Sequence, residues 1–182
     1  MAGLFTAYAA VTACGGAHEP APAPFLPQPA AAASGCGGYL RTTLYGSFEG
    51  EIDWSNDELD CEGMPRPDGA GARLRFAGTA ANGVQSLAFI IAMPALERGV
   101  TTRELASNVT MIEEGSGRFF STPGLETCWT DVDTHAAILD SADTYSISGT
   151  LYCIAPLPEV NGDTSVSLRE LRFDGLVNWS AQ

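Results

Sequence analysis

Residues 127–154 read TCWTDVDTHAAILDSADTYSISGTLYCI, two runs in which apolar and polar residues alternate, separated by an Asp-Ser-Ala-Asp turn signal. Alternation with a period of two is typical of a β-strand that buries one face. The turn is expected to fold Thr127–Val132 back against Thr144–Ile154 as an antiparallel hairpin. Because the turn lies near the midpoint between Cys128 and Cys153, the hairpin places these two cysteines nearly opposite each other.

The same alternation recurs from Cys36 onward, between clusters of Gly, Asp and Asn. Seven further strands are predicted, at Tyr39–Leu44, Phe48–Trp54, Arg73–Ala77, Val84–Met93, Val109–Glu113, Arg118–Ser121 and Ser165–Trp179. A hairpin turn is expected at Gly115–Gly117, and a short helical turn at Ala95–Arg98 or Thr102–Ala106. With 20 glycines and 11 prolines, the pattern predicts an all-β domain, an antiparallel β-sandwich or flattened barrel stapled by disulfides.

Two of these segments share the pattern F-x-G-x-(I/V)-x-W-S, at residues 48–55 and 173–180. In an extended chain the aromatic, glycine and β-branched positions lie on one face. We expect both faces to pack in the core; the alternative is a pair of aromatic platforms for a carbohydrate. The apolar phase changes between Leu168 and Leu171, which predicts a β-bulge at Arg169–Glu170.

Five cysteines are present. If Cys14 is covalently modified and forms no disulfide, four cysteines remain. In an exported protein these four are expected to form two disulfides. Three pairings are possible. The hairpin favours Cys128–Cys153, which leaves Cys36–Cys61 to tie the start of the domain to residues 57–69, DELDCEGMPRPDG, interpreted as a loop.

The N-terminus has an apolar leader that ends at a cysteine. Residues 1–13 read MAGLFTAYAAVTA, without a charge, and lead into Cys14. The segment Val11-Thr12-Ala13-Cys14 resembles the lipobox of bacterial lipoprotein precursors. The resemblance implies that 1–13 is a signal peptide that is removed and that Cys14 receives a lipid.

The leader lacks the Lys or Arg that this class usually has near its start. Secretion without a lipid and a chance cysteine in an apolar N-terminus are the alternatives. A rival lipobox, Ala33-Ser34-Gly35-Cys36, follows a stretch interrupted by five prolines, which makes a poor signal sequence.

Residues 14–35 are expected to form the lipidated cysteine and a Pro/Ala-rich linker that favours polyproline II, followed by the β-domain at 36–182. Gly15 occupies the position after the acceptor cysteine. In lipoproteins of bacteria with two membranes, an Asp at this position commonly signals retention in the inner membrane. The sorting rule thus implies an exported protein, lipid-anchored at the outer membrane or the periplasmic face.

Charge and composition narrow the function. With 22 acidic and 9 basic residues, the net charge is −13, which disfavours nucleic acid as a partner and limits membrane contact to the lipid anchor. We therefore expect a cell-envelope protein with a non-catalytic binding or structural domain, without a cofactor, whose partner is an envelope protein or a glycan. No catalytic residue is assigned.

An envelope enzyme is the alternative, metal-dependent or hydrolase-like. Asp131, Asp133 and His135 would line one face of an extended segment and provide two carboxylates and an imidazole. The chain contains no G-x-S-x-G, H-E-x-x-H or P-loop motif.

Residues 159–170, EVNGDTSVSLRE, resemble an EF-hand loop. The resemblance implies that Glu159, Asn161, Asp163 and Glu170 bind Ca²⁺. Thr164 stands where the family has the glycine of the sharp turn, and Glu159 replaces the usual Asp. The alternative is an ordinary Asn-Gly hairpin turn.

Lipidation is directly testable. Metabolic labelling with a fatty-acid analogue should mark the protein expressed in a bacterium from its natural start, and Cys14→Ala should abolish the label. A label that persists in this variant would move the acceptor to Cys36, and absence of label in both would remove the lipoprotein assignment.

Overall fold

The computed structural model describes residues 36–139 and 141–181. The predicted signal peptide and linker lie outside the described residues. Twelve strands follow one another along this part of the chain: β1 Tyr39–Gly46, β2 Gly50–Ser55, β3 Asp60–Pro65, β4 Ala72–Thr79, β5 Ser86–Met93, β6 Thr102–Glu114, β7 Arg118–Ser121, β8 Cys128–Ala137, β9 Thr144–Cys153, β10 Leu157–Pro158, β11 Ser165–Leu168 and β12 Glu170–Asn178.

One short 3₁₀ turn, Asn56–Glu58, follows β2. Among the described residues, none of the helical structure has the length and apolar character needed to cross a bilayer. The all-β prediction is therefore confirmed.

All strands belong to one antiparallel sheet that does not close into a barrel. The order is β10-β11-β1-β12-β9-β8-β6-β5-β4-β3, with β2 added to β1 and β7 added to β6. The long strand β6 joins two layers, because Thr102–Ser107 pairs with β8 whereas its second half, from Asn108 onward, pairs with β5. The first layer holds β1, β2, β8, β9 and β10–β12, and the second holds β3, β4, β5 and β7.

Aromatic pairs join the two layers across the core. The ring centroids of Trp54 and Phe89 lie 5.8 Å apart, as do those of Phe76 and Phe173. Both pairs are buried. Burying a side chain of this size stabilises the fold by about 1.5–3 kcal/mol, and a favourable ring pair adds roughly 0.5–1.5 kcal/mol. These pairs give the domain its sandwich-like packing.

Both copies of the F-x-G-x-(I/V)-x-W-S pattern contribute to this core. Phe48, Ile52 and Trp54 are buried in the first copy, and Phe173 and Val177 in the second. Phe48 lies just before β2, and β2 and β12 flank β1 on either side. The core interpretation is confirmed for these residues, which are therefore not available as carbohydrate platforms, whereas Trp179 lies beyond β12 and is only partly buried against the core.

The predicted bulge between β11 and β12 is confirmed. Leu168 pairs with Leu44 of β1, whereas Arg172 pairs with Arg41, so the register shifts by one residue across Arg169. The shift turns the side chains of both strands to the same interior, and Leu168 and Leu171 are both buried.

Both disulfide predictions are confirmed. Cys128 and Cys153 are bonded and directly paired across the β8–β9 hairpin, with their Cα atoms 4.1 Å apart. Cys36 is bonded to Cys61. In the chain-entropy account, each such link stabilises the fold by about 3 kcal/mol, which is a large share of a domain's net stability.

Three strand assignments from sequence were wrong or missing. Asp60–Pro65 forms the edge strand β3, although its Gly and Pro residues indicated a loop, because it pairs with β4 and an edge strand tolerates proline. The short strand β10 was missed. Thr102–Ala106 lies in β6 and not in a helical turn; an irregular register between Thr102 and Leu105 explains the broken alternation. Ala95–Arg98 lies within a turn-rich loop.

Gly78 is a test of the core packing. A Cβ atom there would lie 2.7 Å from the Trp54 ring and 2.8 Å from the Glu58 carbonyl oxygen. Gly78→Ala should therefore lower the free energy of unfolding by roughly 1–3 kcal/mol, measured by urea denaturation with both disulfides intact.

Gly124→Ala is the matched control, because a Cβ atom there meets no atom within 4 Å. Its effect should stay within about 0.5 kcal/mol. Equal effects of the two substitutions would contradict the close approach of Trp54 to β4.

Candidate functional site

An acidic cleft of about 770 Å³ opens between β2, the 3₁₀ turn and the adjoining ends of β3 and β4. We call it the acidic cleft. Six carboxylates and a single cationic side chain, Arg75, line it. The carboxylates belong to Glu51, Asp53, Asp57, Glu58, Asp60 and Glu114.

The alternation of β2 positions the first of these groups. Glu51 and Asp53 point to the exposed side, while Ile52 and Trp54 point into the core. The Trp54 indole N–H donates a hydrogen bond of 2.7 Å to the Thr79 carbonyl oxygen, which fixes the base of the cleft to β4. The 3₁₀ turn then presents its two acidic residues to solvent before the buried Leu59 returns the chain to the core.

Arg75 does not neutralise the cleft. Its guanidinium donates to Asp60 at 2.9 Å and to Glu114 at 2.7 Å. Burial lowers the pKa of Arg75, but the hydrogen bonds to Glu114 and Asp60 outweigh it, so the pKa lies above its ordinary value. The cation is thus held by two of the six carboxylates, and Asp53 pairs with Arg41 at 2.7 Å.

The remaining carboxylates, Glu51, Asp57 and Glu58, form no ion pair with another described residue. All nine basic residues of the chain are arginines. Within residues 36–139 and 141–181, no three His, Cys, Asp or Glu side chains converge closely enough to hold a metal ion. The surplus charge is therefore distributed along the cleft, an arrangement that suits several separate cationic groups.

Asp131, Asp133 and His135 do not share a face, so that expectation was wrong. The β8–β9 register shifts between Val132 and Thr134, and this bulge leaves Asp133 exposed and turns His135 into the interior, where it is 4% exposed. The two carboxylates instead bind Arg103, at 3.1 Å from Asp131 and 3.0 Å from Asp133.

The Asp131 carboxylate has a further partner. It accepts a hydrogen bond of 2.8 Å from the backbone N–H of Glu104, and this bond, followed by the bond from Arg103, lowers the pKa of Asp131. Glu104 has a φ of 52°, an uncommon conformation for a residue with a side chain. Asp131 thus stabilises the irregular start of β6.

Residues 159–164 form the hairpin turn between β10 and β11, and the rest of the 159–170 segment lies in β11 and at the start of β12. The Glu159 N–H donates to the Thr164 carbonyl oxygen at 2.8 Å, and Asn161 adopts a φ of 64° in a turn closed by a hydrogen bond from the Gly162 N–H to the Glu159 carbonyl oxygen. The Glu159 carboxylate accepts hydrogen bonds first from Arg118, at 2.9 Å, and then from Thr164, which lower its pKa to about 2.

The other predicted calcium ligands lie apart from this pair. Asn161 and Asp163 are exposed in the turn, and Glu170 lies beyond the bulge in β12, where it binds Arg172. The hairpin alternative is confirmed, and calcium binding stays a prediction.

Sequence reasoning missed two surfaces. The acidic cleft depends on long-range pairing, although the density of Asp and Glu between Glu51 and Asp60 was a signal. Trp129 and Tyr152 form a stacked pair on the partly exposed face of the hairpin, with ring centroids 6.1 Å apart. Their adjacency follows from the predicted pairing of the neighbouring cysteines.

Comparison of the chain with protein-family models, curated proteins and solved structures finds no match. The described residues form an antiparallel β-domain whose two disulfides indicate an oxidising, exported environment.

The calcium prediction can be checked on the metal-free protein. If the loop binds Ca²⁺, calorimetric titration at millimolar calcium should give a heat of binding that Asp163→Ala abolishes. The absence of heat, and of a shift in melting temperature, would leave the hairpin turn alone.

Proposed function

We propose that this protein is an exported, lipid-anchored binding module of the cell envelope, and that its acidic cleft takes an extended ligand with several cationic groups. The observation that carries the proposal is the surplus of unpaired carboxylates in the cleft. Its volume of about 770 Å³ lies within the usual range of ligand sites, roughly 300–1,000 Å³.

The chemistry of the cleft favours ammonium or guanidinium groups. Glu51, Asp57 and Glu58 are exposed at its rim and are not occupied by the arginines of the described residues. A negative potential along a concave surface raises the local concentration of cations and the rate at which they associate. We infer that the natural ligand is a Lys- or Arg-rich segment of another envelope protein.

Anchoring would place this cleft near such partners. The two disulfides of the domain are compatible with the envelope. A lipid on Cys14 would attach the chain to a membrane surface, and the Pro-rich residues 14–35, at ~3.1 Å per residue when extended, would allow the domain to stand several tens of ångströms away.

A glycan is the second candidate ligand, and a different surface favours it. The stacked rings of Trp129 and Tyr152 lie next to the polar group formed by Arg103 and Asp131. Aromatic faces bind the C–H faces of sugars, while carboxylate and guanidinium groups can bind hydroxyls. Loss of glycan binding in Trp129→Ala, but not in cleft variants, would favour this candidate.

The cleft proposal is tested by titrating the purified chain with a short oligolysine peptide at low salt. The variant Glu51→Gln/Asp57→Asn/Glu58→Gln removes three weak ion pairs of about 0.5 kcal/mol each, so the affinity should fall about tenfold. Added salt should weaken the wild-type complex as well.

A second triple variant, Glu97→Gln/Glu126→Gln/Asp163→Asn, changes the net charge equally at exposed positions outside the cleft. It should change the affinity less than twofold if the cleft is the site. Equal losses of affinity in the two variants would mean that net charge alone explains the interaction. The absence of binding to the wild type would refute the proposal.

A further inference from the structure

His135 lies where three segments of the chain meet. Its ring packs against Tyr145 of β9, with centroids 5.4 Å apart, and against Trp179 beyond β12, at 5.7 Å. Its Nδ1 lies 3.3 Å from the carbonyl oxygen of Val100 in the loop between β5 and β6. One buried side chain therefore contacts the β5–β6 loop, the β8–β9 hairpin and the C-terminal segment.

The remaining nitrogen of this ring has no partner. Nε2 of His135 is buried without a hydrogen bond, and so is the indole Nε1 of Trp179 beside it. The neutral ring with its proton on Nδ1 satisfies the geometry, because it donates to Val100 and leaves only a lone pair unmatched. The protonated ring would carry a buried charge and a second N–H donor at Nε2, and burial lowers the pKa of the ring more than its hydrogen bonds with the backbone of Val100 and Glu97 raise it.

The charged groups around the ring do not compensate that charge. Arg98 of the β5–β6 loop stacks on the Tyr145 ring at 4.8 Å and adds a positive charge to the cluster. Asp143, which lies in the β8–β9 turn, accepts a hydrogen bond from Arg98 at 2.9 Å. Glu97 contributes its exposed side chain to the same loop.

The other titratable residues on this part of β8 and β9 are Asp131, Asp133 and Tyr145. On the histidine's own strand, Asp131 and Asp133 are bound to Arg103. Tyr145 is the titratable residue that β9 places against the ring, and residues 179–181 contain none. Burial accordingly lowers the pKa of His135 below its ordinary value of 6.5.

We propose that His135 is an acid-sensitive latch: the neutral ring holds the β5–β6 loop and the C-terminal segment against the β8–β9 hairpin, and its protonation releases them. Two hydrogen bonds also join the β5–β6 loop and the C-terminal segment to the β8–β9 turn. Arg98 donates to the Ala142 carbonyl oxygen, and the Trp179 N–H donates to the Asp143 carbonyl oxygen at 2.8 Å.

Release would be local because these segments lie outside the paired strands. The loop and the C-terminal residues have no ladder of backbone hydrogen bonds of their own, whereas β8 and β9 are paired along their length and joined by Cys128–Cys153. Segments with few backbone hydrogen bonds open at lower free energy than the core.

The direction of the pH effect follows from linkage. The open ring has the ordinary pKa of 6.5 and the closed ring a lower one, so the open state binds protons first as the pH falls. The opening equilibrium constant should therefore rise between pH 7.5 and pH 5.5, by at most about tenfold, and level off below the closed-state pKa.

Amide hydrogen exchange of the purified full chain tests this, corrected for the intrinsic pH dependence of exchange. The Leu96, Val100 and Trp179 amides, which are hydrogen-bonded in the closed state, should lose protection over that range, by at most about tenfold. Amides of the β4–β5 pairing should not change.

His135→Phe is the matched variant, because it keeps an aromatic ring of similar size without a titrating group. It should fold and show no pH dependence in the three amides; His135→Gln gives the same comparison if phenylalanine does not fit. The imidazole signals of the wild type provide a second readout, since His18 is the other histidine of the chain.

Three results would overturn the latch. The first is exchange of the three amides that does not depend on pH, or depends on it equally in the His135 variants. The second is an equal loss of protection in β4 and β5, which would indicate global unfolding. The third is titration of the His135 imidazole at or above pH 6.5.

Discussion

The two-residue period of the β-strand is the constraint on which the rest of this structure depends. A strand of a two-layer domain can bury only one face, so each change of phase in its apolar pattern requires a bulge. The domain has such irregularities in β6, in β8 and between β11 and β12. The bulge in β8 determines the environment of two titratable side chains, because it turns His135 inward and leaves Asp133 paired with Arg103 in solvent.

The positions of the arginines determine which acidic surface keeps carboxylates without an ion pair. Arg118 stacks on Phe48 and Phe120 and binds Glu159, and so it joins β7 to the β10–β11 turn. Other arginines bind carboxylates along the exposed strand faces in the same way. With so few cations for 22 acidic residues, some carboxylates stay unpaired, and the adjoining ends of β2 and β4 collect several of them in one concavity.

Features set by local pattern could be predicted from the sequence. The β8–β9 hairpin, its Cys128–Cys153 bond and the bulge at Arg169 follow from alternation and turn position within short stretches. The strand β3 could not be predicted this way, because Gly63 and Pro65 disfavour a strand locally. Pairing with β4 overrides that preference, and Gly63 allows the backbone of β12 to approach closely. The acidic cleft could not be predicted either, because its walls come from strands that only long-range pairing brings together.

The distribution of unsatisfied polar atoms distinguishes His135 from an ordinary core residue. Among the described residues, the buried side-chain atoms without a hydrogen-bond partner are Thr42 Oγ1, His135 Nε2 and Trp179 Nε1. The Thr42 hydroxyl is an isolated case on the inner face of β1. The other two belong to neighbouring rings at the junction of three segments. In natural proteins, buried polar atoms without a hydrogen-bond partner tend to occur at functional sites. An apolar residue would pack there without an unmatched nitrogen, so the imidazole at this junction is better explained by its ability to gain a proton than by packing alone.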